Sequence, residues 1–287
     1  MEFRCEDLAA HGLRLVPPSA AEFDALLQDI RGRMETAKPS HPPMPNPFRS
    51  PIPEQDRETA AILLNSSGQG IWSMRFVWRF EDGTQNPSVR SGTIRARAPN
   101  MLLEGWAAKL TAIMPGSKRY LAGGYAYGDN RDAFPALKHW ALPAFSDIEE
   151  HGSPSHPQRV TLSLDGAFFP DGTFVGPNRY HLWEQVVFAA EEQQGVSQLV
   201  RELRKVGEPT DAILEKVAAV TGPAPGVHDR PMRVVPGRDH PEAYRVAARR
   251  QIATQVAWVR ATLGDELAVQ TLAAWPDKPR PHFRRLS

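Results

Sequence analysis

The sequence predicts an α+β protein in which an antiparallel β-sandwich is followed by a helical C-terminal region. Apolar residues repeat at every second position in two stretches, 72–80 and 160–168, and this is the period of a strand with one buried face. Beyond residue 178 the apolar residues instead recur at the spacing of a helix. We therefore divide the chain into four segments, with boundaries at 1–57, 58–177, 178–275 and 276–287.

The first predicted element is an N-terminal amphipathic helix over residues 19–36. Ser19 and Glu22 form a capping-box pattern. The apolar residues that follow at helical spacing are Phe23, Leu26, Leu27, Ile30 and Met34. Seven prolines then fall within residues 39–53. Because proline lacks a backbone donor and fixes φ, we interpret this stretch as an extended linker or strap. A ligand for a proline-binding groove is the alternative, since Pro42 and Pro45 form a PxxP pattern.

Several strands are predicted between residues 58 and 177. The first stretch has large apolar side chains at its even positions: Trp72, Met74, Phe76, Trp78 and Phe80. The second alternates Val160, Leu162, Leu164 and Phe168 with Arg159, Thr161, Ser163 and Asp165. We expect these two strands to pack against each other as the core of the sandwich, with residues 59–67 as a partner strand of the first. Further strands are expected at 88–98 and 117–127, and a turn at Asp171–Gly172 should begin a hairpin.

Short turn-and-strand motifs in this region match a known type of domain. They are Leu64-Asn65-Ser66-Ser67 before Ile71-Trp72, then Pro115-Gly116-Ser117, then Leu164-Asp165-Gly166 with Asp171-Gly172-Thr173. On these motifs, residues 58–177 resemble the immunoglobulin-like sandwich modules of uncharacterised bacterial proteins. The resemblance implies an immunoglobulin-like topology. It implies no activity, because sandwich domains host many unrelated functions.

Three helices and a short extension are predicted after residue 178. The first carries Trp183, Val186, Val187, Ala190, Leu199, Val200 and Leu203 on one face, and Gly195 either divides it or lies inside it. The second begins at Pro209, ends at Gly222 and presents Ile213, Leu214, Val217 and Val220. The third covers 241–263 with Tyr244, Ala248, Ile252, Val256, Val259 and Leu263. Gly264 separates it from the extension, and the basic, proline-rich tail at 276–287 is expected to be mobile.

Composition excludes several classes of protein. The 287 residues carry 34 Lys and Arg against 33 Asp and Glu, so no overall charge favours nucleic acid or an acidic membrane surface. The single cysteine, Cys5, excludes an intramolecular disulfide framework. The N-terminal sequence has no basic start and no long apolar run, and no stretch is apolar enough to cross a membrane. A cytoplasmic location is therefore expected.

No motif predicts a cofactor, a metal site or a catalytic residue. The phosphate-loop, HExxH, GxSxG and EF-hand patterns are all missing from the sequence. The glycine-rich stretch 123–128 is interpreted as a twisted strand or a bulge rather than a phosphate site. His151 and His156 lie near Asp147, Glu149 and Glu150, a composition that can hold a divalent ion. We interpret that stretch as a polar surface loop.

Two further groups of residues have a catalytic interpretation that we do not favour. Cys5 and His11 form the only thiol–imidazole pair within a short sequence distance, but a chain terminus is a poor position for an activated thiolate. Asp165 and Asp171 resemble a pair of carboxylates for acid–base work. Each precedes a glycine, and Asp-Gly is first of all turn chemistry.

The predicted partner contacts are Arg245 and Arg249, which share one face of the third helix. Together with Arg280, Arg284 and Arg285 of the tail they would form a basic patch, and a solvated helix face is the alternative. Four other arginines are expected on the outer face of the sheet: Arg75, Arg79, Arg95 and Arg97.

The leading hypothesis is a non-enzymatic binding or scaffold module. Its predicted partner is another protein of unknown identity, and no membrane insertion is expected. One alternative is a hydrolase or metal-dependent enzyme whose site is assembled from residues distant in sequence, because such sites are recognised by geometry rather than order. The other is nucleic-acid binding through the arginine-bearing helix, which would be steeply salt-dependent.

Overall fold

The computed structural model describes residues 1–36, 54–83, 88–95, 113–122, 125–127, 157–223, 240, 242–274 and 283–286. These residues divide into two compact units. The first contains the described residues up to Pro177 together with 283–286, and the second contains those from Asn178 to 274. Strands dominate the first unit and helices the second, so the mixed α+β class is confirmed.

Ten strands are described, all of them in the first unit. In chain order they are β1 (Glu2–Glu6), β2 (Leu13–Val16), β3 (Ala61–Asn65), β4 (Ser73–Glu81), β5 (Ser88–Arg95), β6 (Lys118–Ala122), β7 (Tyr125–Tyr127), β8 (Arg159–Phe168), β9 (Thr173–Val175) and β10 (Arg284–Leu286). The larger sheet has the order β10-β9-β8-β4-β5, and β1 pairs with β8. The smaller sheet has the order β2-β3-β6-β7. Antiparallel pairs predominate, although β1 with β8 and β10 with β9 are parallel, and neither sheet closes within the described residues.

The predicted alternation in β4 is confirmed, but its second face is buried as well. Trp72, Met74, Phe76, Trp78 and Phe80 are all buried. Ser73, Arg75 and Val77 on the other face are also buried, and Arg75 is 0% exposed. The prediction that Arg75 faces solvent is therefore wrong, whereas Arg79 is exposed. A central strand covered on both faces has no outer face in its middle part.

Two predicted strand relationships are wrong. The strands β4 and β8 are hydrogen-bonded neighbours within one sheet, so residues 72–80 and 160–168 are not opposing layers. The strand β3 belongs to the smaller sheet, between β2 and β6, and does not pair with β4. The hairpin from β8 into β9 is confirmed, and Gly172 adopts φ 86 at its turn.

The smaller sheet packs against helix α1 (Phe23–Thr36). A buried cluster joins them: Val16, Phe23, Leu27, Ile30, Ala60, Ile62, Tyr120 and Ala122. The helix begins at Phe23, later than the predicted start at Ser19. The preceding residues form a turn instead, with the Phe23 N–H donating to the Ala20 carbonyl.

Within its described residues the second unit has four α-helices: α2 (Leu182–Lys205), α3 (Thr210–Thr221), α4 (Ala243–Leu263) and α5 (Asp265–Ala274). Gly195 lies inside α2 and does not divide it. The four helices share a core that includes Val200, Leu214 and Val256. The sequence predicts Val220 and Leu263 on buried stripes, but both are exposed, whereas Val217 and Val259, one turn earlier in the same helices, are buried. Among the described residues, no helix has the length and apolar character needed to cross a membrane.

Candidate functional site

The C-terminal segment 283–286 is held against the edge of the larger sheet. Residues Arg284–Leu286 pair in parallel with Thr173–Val175 of β9, and the Phe283 ring packs edge-on against Phe168 with centroids 5.9 Å apart. The expectation of a mobile tail is therefore wrong for these residues. A three-residue strand has little stability of its own, so its side-chain contacts must contribute to holding it in place.

Arg284 anchors this segment to the turn before β9. Its Nε donates to Thr173 Oγ1 at 2.7 Å, and its Nη2 donates to Asp171 Oδ2 at 3.1 Å. The Asp171 carboxylate also accepts the Thr173 backbone N–H and hydroxyl, both at 2.9 Å. Partial burial tends to raise the pKa of Asp171, but the Thr173 hydrogen bonds and the Arg284 charge outweigh it and hold that pKa below its usual range. Asp171 is thus an ionised anchor for the tail.

Arg285, the next residue, has no carboxylate partner among the described residues. Its Nη2 donates to the Pro177 carbonyl at 2.9 Å, and its guanidinium carbon lies 5.7 Å from the centroid of the Phe174 ring. A guanidinium carries several N–H donors in a fixed fork. Arg284 therefore uses its charge and donors in the contact with Asp171 and Thr173, whereas the Arg285 guanidinium has further N–H donors and no neutralising carboxylate among the described residues.

An open cleft of about 550 Å³ lies beside Arg285. Its lining residues are Leu8, His11, Gly176, Pro177 and Arg285. Leu8 and Pro177 make an apolar wall, while the imidazole and the guanidinium are the polar groups. No other described residue hydrogen-bonds to the His11 ring. The cleft therefore combines one fixed positive charge with an apolar surface.

The wall that carries His11 is a rigid turn. Residues Ala9–His11 form a single turn of 3-10 helix, and the Leu8 and Leu13 backbones exchange hydrogen bonds around it. The following Gly12 has φ 75, and a Cβ there would lie 2.6 Å from the Ser67 Cα. Only glycine fits this conformation and this close approach, so the position of His11 is fixed by neighbouring backbone.

The second lining segment, Gly176–Pro177, depends on another glycine. Gly176 follows β9 with φ 115. A Cβ at this position would lie 2.8 Å from the Gly166 Cα and 2.9 Å from the Asp165 carbonyl oxygen. The close contact with β8 sets the direction in which Pro177 leaves the sheet, and with it the carbonyl that accepts from Arg285.

The predicted contacts Arg245 and Arg249 join two helices of the second unit. Both Nε and Nη2 of Arg249 donate to Glu192, at 2.7 and 3.0 Å. Arg245 contacts Glu191 at 2.6 Å and Glu192 at 3.3 Å, and its guanidinium lies over the Phe188 ring. Their role as partner contacts stays a prediction, but both arginines already bind acidic side chains of α2.

Glu192 is the centre of this ion-pair group. Its side chain is only 10% exposed. Burial tends to raise the pKa of this carboxyl, but the hydrogen bonds and charges of Arg249 and Arg245 outweigh it and hold that pKa below its usual range. The group therefore stabilises the packing of α2 on α4.

The structure places the remaining candidates as follows. Burial, followed by the charge of Asp7, raises the pKa of the Cys5 thiol to about 12, so Cys5 is a poor nucleophile at neutral pH. Asp165 is buried in the irregular register between β4 and β8, whereas Asp171 is the tail anchor. The stretch containing His151 and His156 lies outside the described residues, and so do Arg280 and positions 123, 124 and 128 of the glycine-rich stretch, whereas Tyr125–Tyr127 form β7. Within the described ranges, no group of three His, Cys, Asp or Glu side chains is arranged to hold a metal ion.

The residues that line the cleft were not identified as a site from the sequence. His11 and Arg285 lie near opposite ends of the chain, and only the sheet brings them together. One local signal was present, because Leu13-Arg14-Leu15 alternates as a strand does and predicts a turn at His11–Gly12. For Arg285 there was no comparable signal. Comparisons with family models, with curated proteins and with solved structures find no match to this chain.

Proposed function

We propose that this protein is a non-enzymatic binding module that holds an extended segment of a partner protein at β9. The observation that carries the proposal is the chain's own C-terminal segment, which occupies that edge as a peptide ligand would. Strand addition of this kind takes affinity from main-chain pairing and specificity from alternate side chains. The partner is therefore a segment that can replace residues 283–286.

The contacts of the tail define the segment that fits. An aromatic residue packs on Phe168, the next residue is an arginine bound to Asp171, and the third is an arginine that reaches the Pro177 carbonyl. We expect a partner to present an aromatic residue followed by two basic residues in an extended conformation. Acidic segments would place a like charge against Asp171.

The proposal also includes two expectations from the sequence, the topology of residues 58–177 and the cellular location. Two antiparallel-rich sheets in one unit support an immunoglobulin-like topology for residues 58–177, and a cytoplasmic location remains our prediction. Nucleic-acid binding through α4 is less favoured, since Glu191 and Glu192 offset the charges of Arg245 and Arg249.

The test measures binding of a labelled peptide with the sequence of residues 282–287 to the full chain by fluorescence anisotropy. In the wild type the tethered tail competes at an effective concentration on the order of 1 mM, so the apparent Kd should be near that value. Arg284→Ala weakens only the tethered tail. The ion pair is exposed, so it and the accompanying hydrogen bond together contribute about 1 kcal/mol. The variant should therefore bind the peptide about fivefold more tightly.

Two controls make this result specific. Adding Asp171→Asn to Arg284→Ala should remove the gain, because the added substitution damages the site itself. Arg260→Ala removes an arginine that pairs with Asp265 in the second unit and should match the wild type. Equal binding by wild type and Arg284→Ala, with unchanged circular dichroism, would refute strand exchange at β9.

A further inference from the structure

The cleft beside the tail has a chemistry of its own. Arg285 supplies a guanidinium with no described acidic partner, and the His11 ring supplies a second polar group. The Asp7 carboxylate accepts the backbone N–H groups of Ala9 and Leu15, both at 3.2 Å, and makes no ion pair with Arg285 in the part of the chain that the structure describes. The positive charge in the cleft is therefore available to a ligand.

We infer that this cleft binds a small molecule that carries one carboxylate on a short apolar body. The carboxylate matches the single fixed charge and the planar fork of Arg285. Leu8 and Pro177 offer the apolar body a surface to cover. This site goes beyond the strand-addition site, because its ligand contacts the cleft and does not pair with β9.

The two turns that line the cleft are held in place by contacts with neighbouring backbone, which favours ligand binding. Gly12 and Gly176 hold the two turns against neighbouring backbone, and the exposed Arg285 side chain donates one hydrogen bond to the Pro177 carbonyl. A ligand that meets side chains already in place loses less free energy to ordering them. The open geometry and small contact area set a modest affinity.

The test uses hexanoate, hexanamide and inorganic phosphate as probes of the full chain. Titrations are followed by NMR of the His11 ring, assigned with His11→Gln, and by calorimetry. Hexanoate should saturate with a Kd on the order of 1 mM. Hexanamide, which has the same shape without the charge, should bind about tenfold more weakly. Phosphate should not perturb His11 below about 10 mM.

Variants identify the residue that holds the carboxylate. Arg285→Ala should weaken hexanoate binding about tenfold, and Arg285→Lys should recover only part of it, because a lysine cannot make the forked contact. Arg79→Ala removes an exposed arginine of the same sheet and should leave the Kd unchanged. The wild-type titration does not depend on the folding of any variant.

Three results of these titrations would contradict the inference. Unsaturable hexanoate shifts, or equal binding of hexanamide, would show that no carboxylate site exists. Phosphate binding as tight as that of hexanoate would show a general anion site instead. Failure of peptide exchange at β9 with intact hexanoate binding would overturn only the proposed function, and the reverse result would overturn only this site.

Discussion

Replacing Glu192 by glutamine should destabilise the helical unit much more than the same change at Glu191. The Glu192 carboxylate is 10% exposed and accepts two hydrogen bonds from Arg249 and one from Arg245. Glutamine keeps the shape and one acceptor oxygen but loses the charge. Glu191 is 49% exposed and, among the described residues, pairs with Arg245 alone, so Glu191→Gln is a matched control on the same helix.

The magnitude lies between two limits. Exposed ion pairs contribute about 0.2–1 kcal/mol, and removing one partner of a fully buried pair costs about 3–5 kcal/mol. The side chains of Arg245 and Arg249 are 27% and 44% exposed, so water can partly replace the lost carboxylate. We therefore expect Glu192→Gln to lower the free energy of unfolding by about 1.5 kcal/mol, and Glu191→Gln by less than about 0.5 kcal/mol.

The difference between Glu192→Gln and wild type should also depend on pH. Because the folded-state pKa of Glu192 lies below its unfolded value, its contribution is fully present above the ordinary carboxyl pKa. It is lost as the pH falls through the folded value. Urea unfolding followed by far-UV circular dichroism, at neutral pH and at acid pH, measures both effects. A Glu192→Gln variant that is as stable as wild type at neutral pH, or no more destabilised than Glu191→Gln, would refute the reasoning.

Three further predictions concern the first unit. Because its pKa is raised to about 12, Cys5 should react with iodoacetamide at pH 8 about a thousandfold more slowly than a free cysteine; equal rates in the native and urea-unfolded chain would contradict this. Gly176→Ala should lower the unfolding free energy by at least about 2 kcal/mol, with Gly68→Ala as a strained but unclashed control, and equal losses would exclude the close contact as the cause. Trp78→Phe should cost about 2 kcal/mol in urea unfolding, since the indole N–H donates to the Thr59 carbonyl at 2.8 Å, and an unchanged midpoint would show that this bond contributes nothing.

The sequence predicted those elements whose burial pattern is visible locally. The alternation at Trp72–Phe80 and the helical stripe at Ile213–Val217 each show which residues face a core. The burial of Arg75 was not predictable in this way, because its environment depends on chain segments packed over the second face of β4. Periodicity reports that one face is buried and carries no information about the other.

Strands that depend on distant partners were harder to predict. The strand β1 pairs in parallel with β8, where Phe3 lies opposite Val160, and its sequence EFRCE has little intrinsic strand character. The strand β10 is three residues long and follows a proline-rich stretch. Local propensity favours neither strand without the neighbour it pairs with, which is β8 for β1 and β9 for β10. For residues 276–287, the basic and proline-rich composition therefore predicts a mobile tail.

The two tail arginines show why the candidate site could not be predicted from residue types. Arg284 and Arg285 are adjacent and chemically identical, yet one is committed to Asp171 and the other faces the cleft. Consecutive residues of a strand point to opposite sides, so this separation arises only when the segment is extended along β9. In a flexible tail the two side chains would be equivalent, and the basic patch first expected would be the correct description. Pairing with β9 therefore completes the cleft, and any change that releases the tail without placing another basic segment on β9 must also remove the charge on which carboxylate binding depends.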